Sequence, residues 1–216
     1  MAALITVAAW LSLCHGLLAQ ETGKTLRESY DYIIVGAGSA GSVLANRLSK
    51  EKYYVLLLEA GDEMTEGLYV PFTAPFQAND TNSWGYKTEP QLSALWDFPG
   101  HMATITQGKV MGGTSSLNSM NYVRGSQHDF DQWEDKYKAK GWKYQEVLDY
   151  FKEIENFTVP DVDPKEKEEY HGSAGETPVN YPSYQTPVSG AFLNACRESG
   201  YEHIDYNGKK HIGCSR

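Results

Sequence analysis

The sequence predicts an α/β fold built around one parallel β–α–β unit, and three observations carry that prediction. Tyr32-Ile33-Ile34-Val35 is a short apolar, β-branched run without polar alternation, the pattern of a parallel strand buried on both faces. It leads into Gly36-Ala37-Gly38-Ser39-Ala40-Gly41, three glycines at G-x-G-x-x-G spacing. A second apolar run, Val55-Leu56-Leu57-Leu58, ends at the acid Glu59, 18 residues beyond Gly41.

Each part of the unit has a physical role. Gly36 permits the tight turn, Gly38 lets a pyrophosphate approach the backbone, and Gly41 lets a helix pack on the strand. Ala40, Leu44, Ala45 and Leu48 share one helical face, so the turn opens a helix whose N-terminal N–H groups and dipole point at phosphates. Glu59 is placed to accept hydrogen bonds from ribose hydroxyls. Strand, glycines, helix, strand and acid in this order are the arrangement of an adenine-dinucleotide site, a Rossmann-like fold for FAD or NAD(P).

The composition, 41% hydrophobic and 22% charged, is that of an ordinary soluble globular protein. A formal net charge of −9 argues against nucleic acid, whose phosphates it would repel. Residues 2–19 are apolar and uncharged, too short for a comfortable membrane span, and end in small residues near Ala19-Gln20. They read as a secretory signal peptide, which makes the protein secreted and removes Cys14. The sequons Asn79-Asp80-Thr81 and Asn156-Phe157-Thr158 suit a secreted glycoprotein. Two cysteines make neither a disulfide scaffold nor a zinc spacing, and Cys196, on an apolar helical face, reads as a buried thiol.

Residues 62–105 hold four prolines with Trp84, Tyr86, Trp96 and Phe98 among them, and read either as a cover over a site or as a wall packed by its own aromatics. Ser126 and Asp129 form a capping-box pattern ahead of Phe130, Trp133 and Tyr137, with Gly141 as the stop. Val147, Leu148, Phe151 and Ile154 mark a second helix. Pro160 to Tyr170 reads as a charged, solvated connector. A last helix starts at Thr186-Pro187, buries Val188, Ala191, Phe192, Ala195 and Cys196, and stops at Gly200. One β–α–β unit cannot cover both faces of a parallel sheet, so the chain reads as the N-terminal part of a longer protein.

A second glycine-rich segment runs from Gly108 to Asp131. Gly112-Gly113 lets backbone come close to a flat ligand, and Thr114, Ser115, Asn118 and Asn121 offer short polar donors and acceptors. Together with Gly36–Gly41, Glu59-Ala60-Gly61, and Trp84-Gly85-Tyr86-Lys87-Thr88-Glu89-Pro90-Gln91, this segment closely resembles the glucose–methanol–choline (GMC) oxidoreductases, flavoenzymes that bind FAD. His171-Gly172-Ser173-Ala174-Gly175 is a weaker block of the same resemblance. Met111 stands where Leu is more usual, and Glu176 where proline is frequent. Asp205-Tyr206-Asn207-Gly208 and the secretory start are similar to the insect glucose dehydrogenases of the family.

The resemblance implies a GMC-type FAD-binding domain begun over residues 29–155, with 156–216 the rest of the N-terminal region and the start of a substrate domain. It implies that Gly36, Gly38, Ser39, Ala40, Gly41, Glu59 and Ala60 hold the ADP half of FAD. Val110, Thr114, Asn118, Ser119, Asn121 and Val123 would then lie along the pyrophosphate and flavin. The family's His base and its partner fall beyond Arg216, so no catalytic residue is expected within the chain, and no metal. His101, His128, His171, His203 and His211 accordingly read as structural or surface residues.

The implied activity is FAD-dependent oxidation of CH–OH groups in a small alcohol or sugar such as glucose, with quinone or oxygen as electron acceptor. Two other readings stand beside it: an NAD(P) enzyme, which the 108–131 segment disfavours, and a flavin-binding relative without catalysis. Secretion carries its own prediction. Secreted material has its N-terminus near Gln20, and intact-mass measurement showing a retained Met1 would refute the signal peptide.

Overall fold

A computed structural model of the protein describes residues 26–73, 76–79 and 81–215. The expected signal peptide, with Cys14, lies outside the described residues. The α/β class holds. The elements are β1 (Tyr32–Val35), α1 (Ser39–Lys50), β2 (Val55–Leu58), β3 (Tyr86–Lys87), β4 (Thr104–Ile105), α2 (Gln127–Asp135), α3 (Tyr144–Ile154), β5 (Glu155–Phe157), α4 (Pro164–Tyr170), β6 (Thr177–Val179) and α5 (Pro187–Glu198). Short 3-10 turns at Glu66–Tyr69, Pro99–His101 and Gly113–Ser116 punctuate the loops. The chain forms two compact units divided between Met120 and Asn121.

In the first unit β1 and β2 pair in parallel, Tyr32 opposite Val55 through Val35 opposite Leu58, and α1 packs on both. This is the predicted β–α–β turn. The strands are not buried on both faces, however: Ile33 is 53% exposed and Val35 83%. A two-stranded sheet with one helix packed on it leaves its remaining surface open. β3 and β4 form a small antiparallel pair, Tyr86 opposite Ile105. The buried centre of this unit is Leu68, Val110 and Leu117, with Met64 against them.

The second unit is organised by α2, α3 and α4. The predicted capping box is formed: Ser126 Oγ accepts from the Asp129 N–H, and Asp129 accepts from the Ser126 N–H. That hydrogen bonding holds the Asp129 carboxyl below its usual pKa. α2 ends at Asp135, so Tyr137 lies past it and is exposed, and the chain reverses through Gly141 in the left-handed region. Tyr144, Leu148 and Tyr170 pack together with Phe130 against them. β5 and β6 pair in parallel, Glu155 opposite Thr177.

Three local expectations are corrected. Pro160 to Tyr170 is not all connector, because α4 forms at Pro164: Asp163 Oδ1 accepts from the Lys165 and Glu166 N–H groups, Pro164 suits the first turn, and buried Tyr170 anchors the end. The charge run masked an ordinary N-cap. α5 has the predicted bounds, yet its apolar stripe faces outward, with Val188 72% and Phe192 58% exposed. Cys196 is not a free thiol. It is bonded to Cys214 across 18 residues of sequence, a pairing that the spacing alone does not reveal.

The disulfide generates a prediction. A Cys196→Ser, Cys214→Ser double variant loses about 3 kcal/mol of stability, the loop-closure value for this span, in urea melts. Thiol titration of the folded, unreduced protein should find neither residue reactive.

Candidate functional site

The first glycine motif, the acid after β2 and the second glycine segment meet within the first unit. Gly36 turns the chain with φ at +95°, and a Cβ on Gly41 would run into the Gly36 carbonyl, so only glycine lets α1 come this close to the turn. Ala37 is fully buried, and its N–H donates to Glu59 Oε2 at 2.7 Å. The other oxygen of Glu59, Oε1, accepts from the Gly61 N–H at 2.9 Å. One carboxylate therefore ties the glycine turn to the segment after β2, and each oxygen keeps a lone pair for a further donor.

The 107–114 segment is fixed from several sides. The Gly112 N–H donates to Ala37 O at 2.8 Å, the Met111 N–H to Asp62 O at 2.9 Å, and the Lys109 N–H to Asn82 O at 2.7 Å. A Cβ on Gly113 would lie 2.9 Å from Gly38 Cα, so the two glycine motifs touch backbone to backbone.

Between them opens a cleft of about 780 Å³, within the usual size range of small-molecule pockets. Of the sequence-predicted residues, Gly36, Gly38, Ser39, Glu59, Ala60 and Thr114 line it. Ala40 and Gly41 belong to the same turn without lining the cleft. Val110 is 1% exposed and packs with Leu68 and Leu117, so its side chain serves the core. Asn118, Ser119, Asn121 and Val123 do not line the cleft, and all four are exposed.

Residues outside the expected cofactor-binding set also line it: Val35 and Leu58, which end β1 and β2, and Trp84, Gln107, Gly108 and Gly113. The strand ends were findable, since ligands of open parallel sheets bind beyond the carboxyl ends of the strands. Trp84 stacks on Tyr86 with ring centroids 6.1 Å apart, while Trp96 packs edge-on to His101. The aromatic loop thus supplies one wall of the cleft and elsewhere packs on itself.

The cleft suits a dinucleotide by its own chemistry. A Cβ on Gly38 would meet nothing within 4 Å, so there is open room where a pyrophosphate must reach backbone. No side chain caps the N-terminus of α1 and its first turn carries no acid, which leaves the helix end to an anion. Glu59 keeps acceptor capacity at the position a ribose would need.

Residues 30–216 match the model of the family described as GMC oxidoreductase. The chain belongs to the GMC oxidoreductase family. It is 41% identical over 194 residues to the oxygen-dependent choline dehydrogenase of Vibrio vulnificus, covering 87% of this chain and 33% of that protein. To the glucose dehydrogenase [FAD, quinone] of Drosophila melanogaster it is 40% identical over 187 residues, covering 85% and 29%. Among solved structures it is similar to pyridoxine 4-oxidase from Mesorbium loti, with a TM-score of 0.75 and 33% identity over 86% of this chain and 35% of that one. This GMC chain thus spans about a third of the length of the relatives it matches.

The second unit of the GMC chain holds a buried network that the sequence reading missed. Arg124 and Glu155 have side chains 1% and 0% exposed and are 2.5 Å apart, Nη2 to Oε2. Arg124 Nη1 also donates to Tyr170 O. His171 lies between two carboxylates, its Nδ1 3.1 Å from Glu155 Oε2 and its Nε2 2.5 Å from Asp205 Oδ2. The ring of Phe157 stacks on the imidazole at 3.6 Å. Carboxylates only accept, so both contacts are satisfied together when the imidazole is protonated and donates from each nitrogen.

The titration behaviour follows. Burial disfavours the charged form of His171, but hydrogen bonds to Asp205 and Glu155 and the charges of both outweigh it, and the pKa is raised above 6.5. Burial likewise works against ionised Asp205, yet the His171 and Asn207 hydrogen bonds and the charges of His171 and Arg124 hold it below 3.8. His171 is thus held from both ring nitrogens.

Two outcomes are predicted for this network. Glu155→Ala leaves buried Arg124 without its paired carboxylate and His171 with one of two, and costs about 3–5 kcal/mol in denaturant melts. For pH the signs are opposite at the two ends. The raised His171 pKa gives stabilisation complete below pH 6.5 and lost as pH climbs through the folded value; the lowered Asp205 pKa gives stabilisation complete above pH 3.8 and lost on acidification. The melting-temperature gap between wild type and His171→Asn should therefore be widest between those limits and narrow as pH rises beyond 6.5. A gap independent of pH would refute the charged imidazole.

Proposed function

We propose that this chain is the FAD-binding N-terminal part of a secreted GMC dehydrogenase that oxidises the CH–OH group of a small sugar or alcohol, with glucose the leading substrate. The observation that carries the reading is the cleft of glycine turn, open helix N-terminus and Glu59. The likeness to proteins named as glucose and choline dehydrogenases supports the alcohol-type substrate, and those names, one with quinone and one oxygen-dependent, support quinone or oxygen as acceptor; the apolar segment 2–19 supports secretion. Among the described residues no helix is long and apolar enough to cross a membrane.

In this reading Gly36, Gly38, Ser39, Ala40 and Gly41 receive the pyrophosphate, with Gly38 leaving its path open and the first turn of α1 donating N–H groups. Glu59, with Ala60 beside it, accepts from the ribose. Val110, Thr114, Asn118, Ser119, Asn121 and Val123 lie along the pyrophosphate and flavin, Val110 through its backbone. When bound, the flavin supplies at N5 the acceptor for the hydride leaving the substrate carbon. The general base belongs to chain beyond Arg216. Residues 29–155 begin the cofactor domain, and 156–216 lead towards the substrate domain.

The test is made on the full-length parent protein. Substituting Gly38 with valine should fill the open space and abolish co-purifying flavin absorbance, whereas Ala45→Ser, on the far part of α1, should leave it intact. Full flavin content in the Gly38 variant would overturn the assignment. Dye reduction with glucose, choline and simple alcohols would rank the substrates.

A further inference from the structure

The residues proposed to follow the flavin include a short stretch, 121–123, that belongs to no helix or strand. Asn121 and Val123 are exposed, and Val123 is 64% so. A segment without a ladder needs something else to fix its backbone. Here a single side chain does it. Asn207 Oδ1 accepts from the Arg124 N–H at 3.0 Å, and Asn207 Nδ2 donates to the Tyr122 carbonyl at 2.8 Å. The amide thus pairs with the carbonyl of Tyr122 and the N–H of Arg124 much as a neighbouring strand would, on either side of Val123.

Asn207 is itself held. It is 4% exposed, and its own N–H donates to Asp205 Oδ1 at 2.9 Å. Asp205 contacts His171, His171 contacts Glu155, and Glu155 pairs with Arg124. The hydrogen bonds therefore close a ring through Arg124, Glu155, His171, Asp205 and Asn207. The ring draws on four separate stretches of the chain, and only its Asn207 side touches the backbone on both sides of Val123. Such closure fixes a geometry more tightly than any one contact, since each member's rotamer is set by two others.

We infer that Asn207 is a positioning residue for the redox site: by pairing with the backbone on both sides of Val123, it sets how Asn121 and Val123 are presented to the flavin. This rests on the function proposed above. It assigns Asn207 no contact with substrate or cofactor; the residue acts through the 121–123 backbone. The amide is suited to the task because it offers a donor and an acceptor side by side. A carboxylate in its place would keep the acceptor for Arg124 N–H and lose the donor for Tyr122 O.

The experiment uses the full-length parent protein carrying its flavin, as wild type, Asn207→Ala and Asn207→Asp. Three readouts are taken: the flavin absorption and fluorescence bands, the flavin midpoint potential, and amide hydrogen exchange at 122–124. Both variants should still retain flavin, because the glycine turn and Glu59 are untouched. Their flavin bands and potential should shift, exchange at Arg124 should rise most in the alanine variant, and flavin reduction by substrate should slow by about 10²-fold as the geometry loosens. Substrate KM should change far less. If the alanine variant fails to fold, the aspartate variant decides, since it keeps the Arg124 bond. Wild-type bands, potential and rate in a folded, flavin-loaded variant would overturn the inference alone. A wild-type protein that holds no flavin would overturn the proposed function, and this inference with it.

Discussion

The cleft depends on one carboxylate. Glu59 accepts from Ala37 in the glycine turn and from Gly61 after β2, so the two loops that flank the strand ends are held by the two oxygens of one side chain. Bonds from N–H groups to an ionised carboxylate are stronger than neutral ones, and these two are partly buried. The second glycine segment then builds on the first, through Gly112 N–H to Ala37 O and the approach of Gly113 to Gly38. Remove the carboxylate and the glycine turn loses the tie that sets where the N-terminus of α1 points. The acid is thus structural in its own right, with lone pairs left over on both oxygens.

The second unit solves a different problem with similar means. Arg124, Glu155, His171 and Asp205 bring two positive and two negative charges into a nearly dry interior when the imidazole is protonated. Such groups rarely add much net stability over a well-packed apolar core, because desolvation offsets the attraction. What they add is direction. Each bond fixes an orientation that hydrophobic contact leaves free, and the network ties β5, the end of α4 and the 205–208 turn to residue 124. Tyr144, Leu148 and Tyr170 supply the burial, and the charged ring supplies the register.

Much of the first unit was legible in the sequence, because its signals are local. The glycine spacing, the strand ahead of it and the acid behind it all fall within the single stretch Asp31–Glu59, in a fixed order, and β1, α1 and β2 follow. The capping box at Ser126 was legible for the same reason. The exposure of Val35 and of the α5 stripe was not, since periodicity reports which residues would share a face and not whether anything covers it. α4 was hidden by its charges, although Asp163-Pro164 carried the usual start signal. The buried ring escaped because Arg124 and Asn207 are 83 residues apart, and nothing in either neighbourhood names the other. Within the cleft, Gln107 was missed on the same ground.

The Cys196–Cys214 bridge encloses both Asp205 and Asn207. The stretch that completes the buried ring is therefore fastened twice, once by hydrogen bonds that form with the fold and once by a covalent link that forms only where thiols can be oxidised. In a reducing compartment the same sequence would keep the first fastening and lose the second, giving a molecule with the same contacts and a looser hold on one of its edges. Production of the protein for study is affected directly: material folded in a reducing cytosol and material exported through an oxidising route would share a sequence and differ in how firmly the 196–214 loop is tied.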